Sequence, residues 1–271
     1  MRFHHFAPLA LVFAGSAQAA PSLDLKRIAA SVDGDYVTYS GPYGKRQVVS
    51  ARSQFDAGTT KLSFAVSQGH RSAGDEKFNS TRLQLSVAHD WSSRFSTRTE
   101  ASIASRNPVF VNRELIQDFS YKPLPQTVLT VGGRYARYAT GLDTWSWSAG
   151  AAQYFPGGYV SYRFSSFDTE HLGHSVGHLL SAKVTDPYGA TQAWVGHGTS
   201  LQEADSLIAP EKGRFTSVEL RRLQPIGGGV SLSLGAKRTW FETPGDKYRG
   251  TGVHLGLAFS NELARPAQPL K

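Results

Sequence analysis

The feature of this sequence that most constrains its fold is a two-residue period that recurs along nearly the whole chain. In VSLSLGAK, at 230–237, Val230, Leu232 and Leu234 alternate with Ser231 and Ser233. Successive side chains of a strand point to opposite faces of a sheet, so this pattern predicts a strand with one apolar and one polar face. Helical periodicity is almost absent. The pattern therefore predicts an all-β protein.

The same alternation divides the chain into about fourteen segments, each of which we predict to be a β-strand. The predicted strands are 35–41, 46–56, 60–72, 79–92, 94–106, 109–124, 127–140, 143–156, 158–169, 174–185, 190–202, 214–224, 229–242 and 248–260. An antiparallel barrel with both ends of the sheet on one side of a membrane needs an even number of strands. Fourteen strands are the main prediction, and twelve are the alternative if the weak first pair lies outside the barrel.

The connections between these segments differ in length according to their order. Even-numbered connections such as DAGT, FPGG and DPYGA are short and rich in Gly and Pro, which favour turns. The odd-numbered ones include the longest predicted loops, GHRSAGDEKFN (69–79) and LQEADSLIAPEKGR (201–214). The apolar string SLIAP in the latter is a candidate either for a loop that folds back into the barrel mouth or for a contact with a partner. Short turns at one end and longer loops at the other are typical of a transmembrane β-barrel of the outer membrane.

Charged residues occur well inside the predicted strands, on the face opposite the apolar side chains. Arginines and acids are nearly balanced there, with Ser, Gly and Ala between them, which suits a narrow aqueous lumen in which guanidinium and carboxylate groups pair. Arg113 and His254 are assigned to the apolar faces, where they fit poorly. The predicted lumen-facing charged residues are Arg82, Arg98, Glu100, Glu114, Asp118, Arg134, Arg163, Lys183, Glu219, Arg221 and Lys237.

The first nineteen residues have the features of a secretory signal peptide. Arg2 precedes an apolar run, and Ala17-Gln18-Ala19 matches a small-residue cleavage site. We therefore predict a signal peptide at 1–19, a barrel domain at 20–260 and a tail at 261–271. The chain has no cysteine, which excludes disulfides and thiol chemistry. Its net charge of +8 is spread singly along the strands, so no nucleic-acid partner is predicted.

Several long strings resemble the YaiO-type outer-membrane β-barrel family. They include VFVNRELIQDFSYKPLPQTVLTVGGRYARY, GHSVGHLLSAKVTDPYGATQAWVGHG and FTSVELRRLQPIGGGVSLSLGAKR. The resemblance implies a single barrel domain in the outer membrane of a Gram-negative bacterium, without a catalytic signature or a cofactor. The partners expected for such a barrel are outer-membrane lipid and lipopolysaccharide, the barrel-assembly machinery, and a small solute or polysaccharide. One departure is that twelve residues follow Phe259, whereas many such barrels end on an aromatic residue.

Three functions are compatible with the sequence. The leading hypothesis is a non-enzymatic passage or binding surface for saccharide or anionic solutes. The second is a lipid hydrolase at the barrel rim, in which Ser175 is the nucleophile and His174 or His178 the base. Its geometry is poor, because the adjacent His174 and Ser175 would point to opposite faces of a strand. The third is a barrel plugged by its own ion pairs, with a structural or assembly role.

Overall fold

A computed structural model describes residues 27–200 and 213–261 of the chain. The predicted signal peptide, the tail after Asn261 and the apolar string SLIAP lie outside these residues. Within them, no helix is long and apolar enough to cross a bilayer.

Fourteen antiparallel strands form one closed barrel, in which each strand pairs with its neighbours in sequence and β1 pairs with β14. This confirms the predicted fold, and the weak first pair of strands belongs to the barrel. The strands are β1 Arg27–Tyr39, β2 Lys45–Ala57, β3 Thr60–Ala73, β4 Glu76–Asp90, β5 Phe95–Ala104, β6 Arg113–Leu124, β7 Thr127–Arg137, β8 Asp143–Phe155, β9 Gly158–Thr169, β10 Gly173–Asp186, β11 Gly189–Ser200, β12 Gly213–Gly227, β13 Val230–Glu242 and β14 Lys247–Ser260.

Alternation places the apolar residues outside the barrel and small or polar residues inside it. In β13, Leu234 is exposed on the outer face, whereas Ser231 is fully buried on the inner one. Fourteen strands that lie about 4.8 Å apart and are tilted by about 40° form a closed barrel with a radius of about 14 Å. A barrel of that size cannot be filled by small side chains alone, so it encloses space.

The six even-numbered connections lie at one end of the barrel, which we call the turn rim. Five have two residues, and the connection between β4 and β5 has four, at 91–94. The odd-numbered connections form the opposite end, the loop rim, and reach twelve residues between β11 and β12. The difference in length between the two ends therefore follows the sequence prediction.

Two predicted boundaries at the loop rim are wrong. The segment 69–79 is not a long loop, because β3 and β4 stay paired to Ala73 and Glu76, and Gly74 at φ +56° turns the chain between them. Conversely, β6 begins at Arg113, not at 109, so that residues 105–112 form a connection. Val109 and Phe110 are residue types that are common in strands, but here they belong to a connection and pack inside the barrel.

The outer face is apolar along its middle and aromatic at both rims. Trp145, Trp147 and Trp240 are exposed towards the loop rim, and Trp91 and Tyr121 towards the turn rim. Aromatic side chains of this kind anchor a barrel at the two membrane–water interfaces. Arg113, at the loop-rim end of β6, is exposed on the outer face beside this band, where its side chain can reach the interface.

The barrel is closed at a seam, the pairing of β1 with β14, which continues to the turn rim. The Ile28 amide donates a hydrogen bond of 3.2 Å to Asn261 Oδ1, and the Asn261 amide donates one of 3.3 Å to the Ile28 carbonyl. The inner face of this seam carries several glycines, including Gly252 and Gly256. These glycines leave room for the inward side chains of β1: a Cβ at Gly252 would lie 2.9 Å from Val37, and one at Gly256 would lie 2.3 Å from Asp33 Oδ1.

Candidate functional site

One side of the inner wall, on β5 to β9, carries arginines that are paired with carboxylates. Asp118 is almost fully buried and accepts hydrogen bonds from Arg98, at 2.8 Å, and from Arg163. Arg134 donates from Nε to Glu114 Oε1 at 2.6 Å. We call this group, with Glu100 beside Arg98, the paired wall. Its charges largely neutralise one another.

A glycine on β7 leaves room for the ion pair that spans the most strands. Arg163 on β9 reaches Asp118 on β6 across the inner face of the intervening strands, and Gly132 lies beneath the contact. A Cβ added at Gly132 would lie 2.1 Å from Asp118 Oδ1 and 3.0 Å from an Arg163 guanidinium nitrogen. The ion pair therefore lies flat along the wall and does not cross the lumen.

His254 lies at the centre of a second cluster, on β1 and β12 to β14. Its side chain faces inward and is 7% exposed, so the assignment of His254 to the apolar face is wrong. The apolar residues of β14 are odd-numbered, and the even positions face the lumen. His254 Nδ1 lies 2.9 Å from Asp35 Oδ1, and Nε2 lies 3.0 Å from Ser233 Oγ. Nearby, Arg221 donates to Glu219 at 2.6 Å.

The connection 105–112, which we call the inner loop, folds into the barrel at the loop rim. Val109 is fully buried and Phe110 is 3% exposed, and both pack against Val48 of β2. The loop fits because β3 has a glycine there: a Cβ at Gly69 would lie 2.5 Å from Val109 and 2.8 Å from the Phe110 ring. The inner loop thus lines the inner wall of β2 to β5 and narrows the lumen.

Three arginines beside the inner loop have no acid partner among the residues that the structure describes. Arg46 and Arg82 lie over the Phe110 ring, with Cζ 5.6 Å and 4.8 Å from its centroid. Across the described parts of the chain, no carboxylate oxygen lies within 4.0 Å of a side-chain nitrogen of Arg46, Arg52 or Arg82. The Nε atoms of Arg46 and Arg82 are also buried without a hydrogen-bond partner in these segments. We call this group the open arginines.

Three cavities inside the described part of the barrel share lining residues. The largest, about 450 Å³, is lined by all three open arginines and by His254. A second, of about 340 Å³, lies along the paired wall and shares Glu114 and Arg134 with the first. A third, of about 400 Å³, shares Arg221 with the first and Arg163 with the second. Together they surround the barrel axis, so the middle of the barrel is not packed solid.

The structure places the sequence-predicted charged residues as follows. Nine of them line these cavities: Arg82, Arg98, Glu114, Asp118, Arg134, Arg163, Glu219, Arg221 and Lys237. Glu100 lies 3.8 Å from Arg98, and Lys183 pairs in register with Tyr159 and Gln192 near the turn rim. The sequence analysis missed Asp33, Asp35, Arg46 and Arg52, which line the largest cavity. Their inward position follows from the alternation of β1 and β2, which was the available signal.

The residues of the hydrolase hypothesis do not come together. Ser175 faces inward and is buried, whereas His174 lies on the outer face 3.7 Å from Asp168. His178 is also on the outer face, where its Nδ1 lies 2.7 Å from the Tyr162 hydroxyl and its ring packs against Phe164. A serine nucleophile needs a base within hydrogen-bond reach. In the segments that the structure describes, no group of three His, Cys, Asp or Glu side chains could hold a metal ion.

A closed, even-stranded antiparallel barrel with an apolar, aromatic-rimmed outer face and a polar interior defines an outer-membrane β-barrel. The sequence matches the YaiO membrane beta barrel domain over residues 27–205, and the chain belongs to this family. The match confirms the resemblance found in the sequence.

Solved structures with the same fold include two outer-membrane proteins. The CymD monoaromatic hydrocarbon channel superposes with a TM-score of 0.59 at 10% identity, over 86% of this chain and 88% of that one. A bacterial polysaccharide outer membrane secretin superposes with a TM-score of 0.53 at 9% identity, over 86% of this chain and 97% of that one. At these identities the likeness shows a shared fold alone.

Proposed function

We propose that this barrel is a non-enzymatic outer-membrane passage for small anionic solutes, including acidic saccharides. The observation that carries the proposal is the set of open arginines, Arg46, Arg52 and Arg82, facing the largest cavity. The other arginines of that cavity, Arg134 and Arg221, are paired with Glu114 and Glu219. Asp33 and Asp35 also line this cavity, beside His254. Six Arg and Lys side chains against four carboxylates still leave its wall with a net charge of +2 when His254 is neutral.

Unpaired guanidinium groups at a narrow place in a pore favour anions over cations. Rings of charged side chains set the selectivity of channels, and arginine binds carboxylate and phosphate through two parallel hydrogen bonds. The inner loop brings Phe110 against Arg46 and Arg82, so the open arginines lie beside the segment that narrows the lumen. Solutes that pass the loop must move beside these side chains.

The test is the reversal potential of the refolded chain in a planar bilayer under a KCl gradient. We expect the wild type to prefer chloride, and the triple variant R46Q/R52Q/R82Q to lose at least about a threefold preference, which corresponds to about 0.6 kcal/mol. R222Q is the matched control, because Arg222 lies on the outer face at the turn rim and pairs with Asp186. Equal selectivity in wild type and triple variant would refute the proposal.

A plugged barrel with a structural or assembly role is the second candidate. It is favoured by the inner loop, which occupies part of the lumen, and by the dense ion pairs of the paired wall. A protein that inserts into the bilayer and conducts no current would support it. Removing residues 106–110 should then open the barrel and produce conductance steps, because these residues belong to none of the fourteen strands.

The proposal includes the cellular setting expected from the sequence. The chain is exported by a cleaved signal peptide to the outer membrane of a Gram-negative bacterium, folded there by the barrel-assembly machinery, and surrounded by lipid and lipopolysaccharide. The loop rim faces outward and the turn rim faces the periplasm, as in other barrels with this sorting of loop lengths. Protease accessibility of the loops in whole cells tests this orientation.

A further inference from the structure

The outer face of β12 to β14 carries a compact group of charged and aromatic side chains at the loop rim, which we call the rim patch. Pairing between the strands sets its members in three rows, one behind the other from the rim towards the middle of the barrel. The rows are Arg214, Glu242 and Lys247; Thr216, Trp240 and Arg249; and Val218, Arg238 and Thr251.

The charges of the rim patch are unbalanced. Four cations share a single carboxylate, that of Glu242, whose Oε1 already lies 2.6 Å from Lys247 Nζ. Within the described segments, no carboxylate oxygen lies within 4.0 Å of a side-chain nitrogen of Arg214, Arg238 or Arg249. The patch therefore presents net positive charge on a surface that otherwise faces lipid.

Arg238 is the residue of the rim patch whose position most favours a bound anion. It lies two positions below Trp240 along β13, towards the hydrocarbon region, and its Cζ is 5.7 Å from the Trp240 ring centroid. Its Nε is buried and has no hydrogen-bond partner in the described residues. A charged group left against acyl chains is costly, and a buried donor usually has a partner. An anion bound beside Arg238 would neutralise the guanidinium charge and accept the hydrogen bond from Nε.

The patch also has a concave surface. A cleft of about 530 Å³ opens at the rim and is lined by Arg214, Thr216, Trp240, Lys247 and Arg249 among others. Sugar rings pack on exposed indole faces, and guanidinium groups clamp phosphate oxygens in pairs. The combination of an indole, three unpaired guanidinium groups and a cleft at the membrane interface matches a phosphorylated sugar headgroup on an acyl anchor.

We infer that the rim patch binds the phosphorylated headgroup of an outer-leaflet glycolipid of the lipopolysaccharide class. Arg238 and Arg249 hold a phosphate, Arg214 adds charge at the rim, and the Trp240 ring packs against the sugar. The acyl chains then lie along the apolar outer face below Val218. The inference rests on the outward orientation of the loop rim and is independent of any passage through the lumen.

The test uses native mass spectrometry of the refolded full chain in detergent, titrated with bisphosphorylated lipid A and with its phosphate-free form. We expect wild type to bind the phosphorylated lipid at least tenfold more tightly, and R238Q/R249Q to lose that difference. R238K/R249K should retain most of it, because lysine keeps the charge. K77Q is the control, since Lys77 is a cation on the outer face at the same rim, away from the patch.

A heat-dependent gel shift checks that each variant is folded. Equal binding of the two lipids by wild type would overturn the inference, and this comparison stands even if a variant fails to fold. A folded R238Q/R249Q that keeps its preference for the phosphorylated lipid would also overturn it. Inorganic pyrophosphate is the soluble probe, and its binding with the affinity of lipid A would reassign the patch to soluble anions. Loss of ion selectivity in the lumen would leave these outcomes unchanged.

Discussion

Replacing Phe110 by alanine should release the inner loop without opening the barrel wall. The Phe110 side chain is 3% exposed and holds the loop against Val48, Arg46 and Arg82. Truncating a buried phenylalanine costs about 3–5 kcal/mol in a protein core. Because this loop borders an aqueous lumen, water can partly replace the lost contacts, and we expect a loss of about 2–3 kcal/mol in docking free energy.

A loss of that size lowers the ratio of docked to released loop by a factor of about 30 to 150. In single-channel recordings, F110A should therefore show frequent visits to a larger conductance that is rare or missing in wild type. The control is F119A, because Phe119 is the same residue type on the outer face of β6, 45% exposed. F110A traces with the amplitudes and dwell times of wild type, from protein shown to be folded, would refute the role of the inner loop in narrowing the lumen.

Two further predictions compare matched substitutions. G132A should lower the urea midpoint of unfolding by an amount corresponding to about 1–3 kcal/mol, because the new Cβ would lie 2.1 Å from Asp118 Oδ1; G133A, whose Cβ meets nothing closer than 4.0 Å, should leave it nearly unchanged, and equal midpoints would count against the Arg163–Asp118 contact. L220R, on the outer face in the middle of β12, should cost about 2–4 kcal/mol in lipid bilayers, whereas I226R, at the turn rim of the same strand, should cost under about 1 kcal/mol. Equal costs in bilayers would argue against a lipid-facing outer wall.

Most of the fold was predictable because one physical rule repeats in every strand. Each of the fourteen strands turns one set of alternate residues towards the lumen and the other outward, so a local pattern such as that of Val230 to Leu234 is enough to orient it. The alternation of short and long connections then predicts that neighbouring strands are antiparallel and that the sheet forms a barrel. Neither inference needs knowledge of distant contacts.

The misassignment of His254 was local, because the alternation of β14 already places its even positions inside. The two wrong boundaries at the loop rim occur where a distant contact decides the structure. Val109 and Phe110 have the residue types of a strand, but the space left by Gly69 on β3 lets them dock inside the barrel. The polar segment 69–79 looks like a loop, yet cross-strand pairing continues to Ala73 and Glu76. No local signal distinguishes these cases, because the deciding partner lies elsewhere in the sequence.

The candidate site was predictable as a set of positions, but not as a set of pairs. Alternation places Arg98, Asp118 and Arg163 on the inner face. It cannot show that Arg163 crosses Gly132 to reach Asp118, or that Arg46 and Arg52 have no carboxylate partner in the described segments. The division of the inner wall into a paired and an unpaired part depends on side-chain reach across neighbouring strands, and this division carries the proposed function.

The hydrogen bonds between Ile28 and Asn261 place the first and last strands of the barrel side by side at one rim. Segments whose ends lie together in this way tolerate a change in the order of the chain, in which a short linker joins the old ends and a new break is made elsewhere. The two-residue turn at Gly74 and Asp75 offers such a break, since it lies outside the lumen-facing wall. The order in which the strands leave the ribosome is thus separable from the order in which they stand around the barrel.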